Sequence, residues 1–219
     1  MGEAYETFTF PHVAPDRSAA VKDRLLQALW AAEIVARENA PARVLWGAAR
    51  IEDVLPEAEP ETRAEKQAKL RTAEAYPPLP FYGPNSLDTR LWPMQAVPLG
   101  LEVTQGPSVS GLEFDDVDGF TCPSCAGSLG PDRMMPQVLD GIGGFFEHGT
   151  HPVLTCPLCH AAQDWRDWRL DGPGLSFTHL GLTFWNWPSL DAPDCWRLDV
   201  PALMSRAAAS PMLRFAGKL

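Results

Sequence analysis

Cys122 and Cys125 stand in "TCPSC", and Cys156 and Cys159 in "TCPLCH". Each stretch is a Cys-Pro-x-Cys turn, and residues 126–155 separate the two. Two such pairs can supply four thiolates in a tetrahedron, the closed arrangement of structural zinc, with Cys122, Cys125, Cys156 and Cys159 as the ligands of one Zn2+ per chain. The proline after each first cysteine sets φ for a tight knuckle, and such a turn offers backbone N–H groups to its sulfurs. Apolar or β-branched residues lead into both pairs, "GFT" before Cys122 and "PVLT" before Cys156. Two β-hairpin knuckles facing one another are expected.

Other chemistries explain half of this pattern. The chain has five cysteines, an odd number, and "MGEAYETFTFPHV" has neither the positive n-region nor the apolar h-region of an export signal. A disulfide scaffold is therefore disfavoured, and a cytosolic protein is expected. Cys156, Cys159 and His160 spell a c-type haem attachment signature, but that chemistry needs export and leaves Cys122 and Cys125 without a role. A redox dithiol needs one Cys-x-x-Cys at a helix start inside a βαβ unit, which neither pair has. Cys195 stands alone and reads as a small buried hydrophobe.

The paired knuckles resemble those of zinc-ribbon proteins over about Gly119 to Ala162. The resemblance implies a structural metal and no particular function. The spacer is longer than the roughly 15–20 residues common between such pairs, and Ala126 and His160 follow the second cysteines where glycine is usual. The extra length fits an insert carrying a short helix from about Pro136, broken at Gly143-Gly144. "LTFWNWPSL" and the terminal "GKL" also resemble segments of bacterial proteins, without bringing a function.

Catalytic motifs are sparse. The chain has no GxxxxGK[ST] loop, no HExxH pair and no G-x-S-x-G elbow, since Ser110 stands where "GPSVSG" would need glycine. "FDDVDG" misses a calcium loop because Phe114 takes its first ligand position, so Asp115, Asp116 and Asp118 read as a solvated turn. "DGIGG" lacks the strand before it that a dinucleotide fingerprint requires. His148 and His151, beside Glu147, could serve a hydrolytic zinc only with a third ligand. With four sulfurs filling the metal, His148, His151 and His160 read as surface or supporting groups.

A composition of 45% hydrophobic and 21% charged residues describes a chain that folds with a real core. Ser18 to Asn39 reads as an amphipathic helix with Val21, Leu25, Leu29, Ala32 and Ala36 on its stripe, capped by Asp16 or Ser18. Pro41 to Leu55 reads as a second helix and Pro60 to Ala75 as a solvated third. Pro77, Pro78, Pro80, Pro84, Pro93 and Pro98 exclude a regular helix between Tyr76 and Gly100, where an extended arm bearing Phe81, Tyr82, Leu91 and Trp92 is expected.

Past Gly100, "LEVTQ", "GFTCPSC", "HPVLTCPLC" and "GLSFTHLGLTFWNWP" read as strands, and Asp199 caps a helix over "VPALMSRAAA". The expected fold is α+β: a helical N-terminal half, residues 1–76; a Pro-rich arm, 77–110; and a β-rich zinc-binding region, 111–219, possible also as one continuous domain.

The balance of 18 basic against 28 acidic residues, −10 overall, disfavours nucleic acid and anionic lipid. No stretch reaches the ~18 apolar residues of a membrane span. Trp165, Trp168, Trp185, Trp187 and Trp196 cluster late in the chain, either wrapping the zinc module or forming an interface hot spot. The expectation is a non-enzymatic protein that binds another protein, a basic one in particular, as inhibitor, immunity protein or adaptor. The alternatives are a nucleic-acid-binding ribbon using Arg166, Arg169, Trp165 and Trp168, and a metal-dependent hydrolase using histidines. Oligomeric state is left open.

Overall fold

The computed structural model describes residues 4–35, 37, 40–41, 74–76, 100–111, 117–172, 174–185, 187, 189–190 and 198–218. The expected helix over Pro41 to Leu55, apart from Pro41 itself, which is in a strand, most of the one over Pro60 to Ala75, the arm over 77–99, Asp115, Asp116, Cys195 and Trp196 lie outside these residues.

A six-stranded antiparallel sheet carries the molecule, in the order β11-β1-β10-β4-β3-β2. Its strands are β1 (Ala4–Thr9), β2 (Ala40–Pro41), β3 (Glu74–Tyr76), β4 (Gly100–Ser110), β10 (Ser176–Trp185) and β11 (Leu213–Lys218). β10 is buried along nearly its whole length, because β1 pairs with it on one side and β4 on the other. Phe8 pairs with Leu182 and Leu182 with Val103, so one face of the ladder is a continuous apolar row. Helices α1 (Ser18–Ala31) and α3 (Val200–Ala208) cover that face through Val21, Leu25, Leu29, Val200 and Met204.

The mixture of helix and strand is as expected, but the described residues do not sort into a helical half and a β half. β1, near the N-terminus, sits inside the sheet, and two helices lie beyond residue 130. Residues 100–110, counted with the arm from sequence, form an inner strand of the sheet. Glu74 and Ala75, assigned from sequence to the end of the solvated helix, form β3 with Tyr76 instead.

α1 stops at Ala31, not Asn39. Glu33 turns left-handed with φ 57°, its N–H donates to the Trp30 carbonyl, and the Ile34 N–H donates to that of Leu29. This pair of bonds closes the helix in a Schellman motif. The gain is burial: Ile34 and Val35 turn back into the core between sheet and helices. Neither Asp16 nor Ser18 caps the start as an acceptor; Ser18 Oγ donates to the Pro15 carbonyl. Asp199 does cap α3, its Oδ1 accepting from the Ala202 N–H at 2.7 Å.

A bulge lets the same ladder serve two cores. Gly106, with φ 114°, and Pro107 oppose the single residue His179, between the pairs Thr178–Ser108 and Leu180–Gln105. Beyond it Phe177 and Val109 join a second apolar cluster, while Leu180, Leu182 and Val103 belong to the first. Phe177 and Leu180 differ in parity along β10, so their side chains leave opposite faces. The second cluster belongs to the cysteine-bearing module.

Candidate metal centre

The module is built from β5 (Gly119–Thr121), β6 (Ser128–Leu129), helix α2 (Pro131–His148), β7 (Val153–Thr155), β8 (Ala162–Asp164) and β9 (Arg169–Asp171). β5 pairs with β6 and β9, and β7 pairs with β8. Phe120, Leu129, Leu154, Trp165 and Phe177 fill its interior with the buried stripe of α2, Met134, Val138 and Phe145. Trp165 sits against Phe120 at 6.3 Å and Phe177 at 5.1 Å between ring centroids. It thereby joins the knuckle-bearing strands to β10.

α2 begins earlier than expected and does not break at Gly143-Gly144. Pro131 occupies its first turn, where a missing N–H costs nothing, and Pro136 is accommodated on the exposed side. The stripe, spaced by 4 and then 7 residues, suits one helical face from end to end, and its burial holds the glycines in the helix. Gly149, left-handed at φ 67°, ends it.

The two cysteine turns are copies of one another. Thr121 pairs with Ser128 below the first and Thr155 with Ala162 below the second, at the same spacing. The Cys122 N–H donates to the Gly127 carbonyl at 3.0 Å, as that of Cys156 does to Ala161. The Ala126 N–H returns to the Cys122 carbonyl at 2.9 Å, and that of His160 to Cys156 at 2.8 Å. Ala126 and His160 are both left-handed, at φ 55° and 59°. These are the two positions at which the sequence departs from glycine, so the backbone keeps the knuckle shape against the preference of the residues there.

The knuckles hold each other as well. Leu158 leans so closely over Gly127 that a Cβ there would stand 2.5 Å from its Cδ1. Gln163 Nε2 donates to Ser124 Oγ at 2.8 Å.

All four sulfurs lie within 4.8 Å of one another. Cys122 Sγ is 3.8 Å from Cys159 Sγ, and Cys125 Sγ is 3.9 Å from Cys156 Sγ. A disulfide would require about 2.05 Å, whereas the edge of a tetrahedron with metal–sulfur bonds near 2.3 Å is about 3.8 Å. Among the described residues, these cysteines are the one group of three or more His, Cys, Asp or Glu side chains placed to share an ion. The first cysteine of each pair is buried and the second exposed.

The thiols do not share charge evenly. Burial pushes Cys156 up, but the N–H groups of Cys159 and Leu158 and the neighbouring thiols outweigh it and bring it down to about 7. At Cys125 the Gly127 N–H pulls downward, yet burial and three neighbouring sulfurs drive the thiol up to about 12. One anion is welcome in this cluster and the next is opposed, the electrostatics that a divalent cation reverses.

Among the described residues, the histidines do not complete a second site. His148 is exposed at the end of α2, 3.6 Å from the Glu147 carboxylate. His160 holds its left-handed position in the knuckle. His151 stacks on Phe145 at 5.2 Å and meets His179 edge-on at 5.8 Å. Its Nδ1 is buried with no hydrogen-bond partner among the described residues, and burial, then the Arg166 charge, lowers the ring's pKa to about 4. His179 instead has Nε2 2.8 Å from the Gly149 carbonyl.

The residues that suggested single-strand stacking divide between interior and surface, with Arg166 and Arg169 exposed. Trp165 and Trp168 are buried, Arg166 grips both oxygens of Asp164 at 2.8 and 2.7 Å, and Arg169 reaches Thr121 Oγ1.

Sequence reasoning missed Gln137. Its amide donates to the Thr155 carbonyl at 3.0 Å and accepts from the Thr155 N–H at 2.8 Å, fastening α2 to the edge of β7 just before Cys156. A glutamine one place before buried Val138 was its only signal. Compared with protein-family models, characterised proteins and solved structures, the chain matches none. No helix among the described residues is long and apolar enough to cross a membrane.

Proposed function

We propose that Cys122, Cys125, Cys156 and Cys159 bind one zinc ion as a zinc-ribbon-like structural site, and that this cytosolic protein acts by binding another protein. The observation that carries the reading is the convergence of four sulfurs, at the edge length of a metal tetrahedron, from two knuckles with the same backbone. Zinc suits four thiolates because it takes soft ligands without a geometric preference of its own. A site closed by four sulfurs offers no position for substrate, so its work is to hold the β5–β6 and β7–β8 hairpins together. Bound, the ion supplies the charge that lets all four sulfurs ionise.

What the module presents then becomes the function. The net charge of −10 favours a basic partner, since complementary fields speed encounter. Leu139, Phe146, Val153 and Leu158 are large apolar side chains left about half exposed or more, all in the module. Two measurements test the reading: elemental analysis of the purified protein, and affinity capture of partners at low salt by the wild-type chain and by Cys122→Ser. One zinc per chain together with a partner lost in the variant is expected. A metal-free folded protein removes the first half of the proposal, and capture of no protein removes the second.

A further inference from the structure

The exposed side of α2 carries a second apolar row beside its buried one. Met135, Leu139, Ile142 and Phe146 follow the 4-3-4 spacing of a helix-packing seam. Met135 and Ile142 lean on the module core, whereas Leu139 and Phe146 are 49% and 51% exposed. Leu139, Ile142, Gly143 and Phe146 stand at i, i+3, i+4 and i+7, the four corners of a hole that takes one knob from a facing helix. With glycine at one corner, the hole is deep.

The fold itself does not ask for that glycine. Gly143 has no left-handed φ, and a Cβ built on it meets nothing within 4 Å among the described residues. In the helix interior it costs roughly 1 kcal/mol relative to alanine. Gly141, two residues earlier, has an internal reason, because its Cβ would stand 2.6 Å from that of Pro152.

The rim is acidic. Asp140 and Glu147 follow the two exposed apolar residues, Asp132 precedes Leu139 by two turns, and all three are exposed, with Arg133 the one basic residue interspersed among them. A second copy of the chain would set Asp140 and Glu147 beside their own counterparts, a like-charge contact that costs affinity. A basic helix would pair with them.

Resting on the interaction reading above, we propose that the hole formed by Leu139, Ile142, Gly143 and Phe146 receives a large apolar side chain from an amphipathic helix of another protein, flanked by Lys or Arg facing Asp140 and Glu147.

The test is a displayed library of randomised helix-forming peptides, selected on the zinc-loaded full chain. Enriched peptides are expected to carry a large aliphatic or aromatic residue flanked by Lys or Arg. Gly143→Leu fills the hole while favouring the helix, and binding of those peptides should fall at least tenfold. Asp140→Lys with Glu147→Lys, which leaves the hole open, should weaken them to a similar degree. Zinc content and circular dichroism confirm that each variant is folded. Failure to enrich any peptide, enrichment without basic flanks, or equal binding by Gly143→Leu overturns the proposal. So does a dimer in sedimentation that Gly143→Leu dissolves, because the occupant is then a second copy. If zinc is retained and a protein partner is still captured equally by Gly143→Leu, the interaction reading stands and this surface is excluded from it.

Discussion

The Gln137 side chain completes Thr155: its amide takes both the N–H and the carbonyl of that residue, at 2.8 and 3.0 Å, as a neighbouring strand would. The helix inserted between the cysteine pairs is thereby attached to the strand that delivers Cys156. Gln137→Ala removes two solvent-accessible hydrogen bonds worth about 0.5–1.5 kcal/mol each. Denaturant unfolding of the zinc-bound protein should show a loss of about 1–2 kcal/mol. An unchanged midpoint would mean that the attachment contributes nothing.

Ala126 and His160 adopt left-handed backbone in two knuckles of one shape. A non-glycine residue there costs roughly 1–2 kcal/mol, while glycine gives back roughly 0.5–1 kcal/mol of chain entropy. Ala126→Gly and His160→Gly should each stabilise by about 0.5–1 kcal/mol. A denaturation midpoint that moves down for both would show that their side chains do something the backbone does not reveal.

Gly141 and Gly143 predict opposite signs for the same substitution. Gly141→Ala drives a methyl into the Pro152 ring, at 2.6 and 2.7 Å from two of its carbons. Overpacking of this kind costs about 1–3 kcal/mol, more than the helix gains. Gly143→Ala meets open space and should stabilise by roughly 1 kcal/mol. Thermal unfolding of the two variants side by side decides it.

His151 makes stability depend on pH. Its folded value is lowered to about 4, from an ordinary 6.5. Between those values the unfolded chain binds a proton that the folded one refuses, so this contribution is complete above 6.5 and is lost as pH falls toward 4. Thiolate protonation acts in the same direction, so the informative quantity is the difference between wild type and His151→Gln. Stability of the variant should fall less between pH 7 and 5. Parallel curves would show that His151 is not strained by its surroundings.

How much of this was legible in the sequence follows from the range of the forces involved. The four cysteines and their knuckles could be read because metal ligation fixes residue type and spacing locally. β10 and the capped start of α3 announced themselves by alternation and by Asp199, and β4 only in its "LEVTQ" part. β1 did not, although Phe8 and Phe10 alternate with threonines, because a short N-terminal strand gains its meaning only from β10 and β11 on either side. The early end of α1 was set by where Ile34 and Val35 must go, and the persistence of α2 through Gly143-Gly144 by what Phe145 must fill. Both are decisions of tertiary packing that override local propensity. Gln137 belongs with them, since its partner lies across residues 138–154.

The central claim is one metal ion held by four cysteines. Elemental analysis of the purified chain, beside Cys122→Ser and Cys156→Ser, tests it most directly. The account predicts one zinc per wild-type chain and loss of both zinc and folded stability in each variant. A chain that purifies folded with no metal, or with iron, would contradict it.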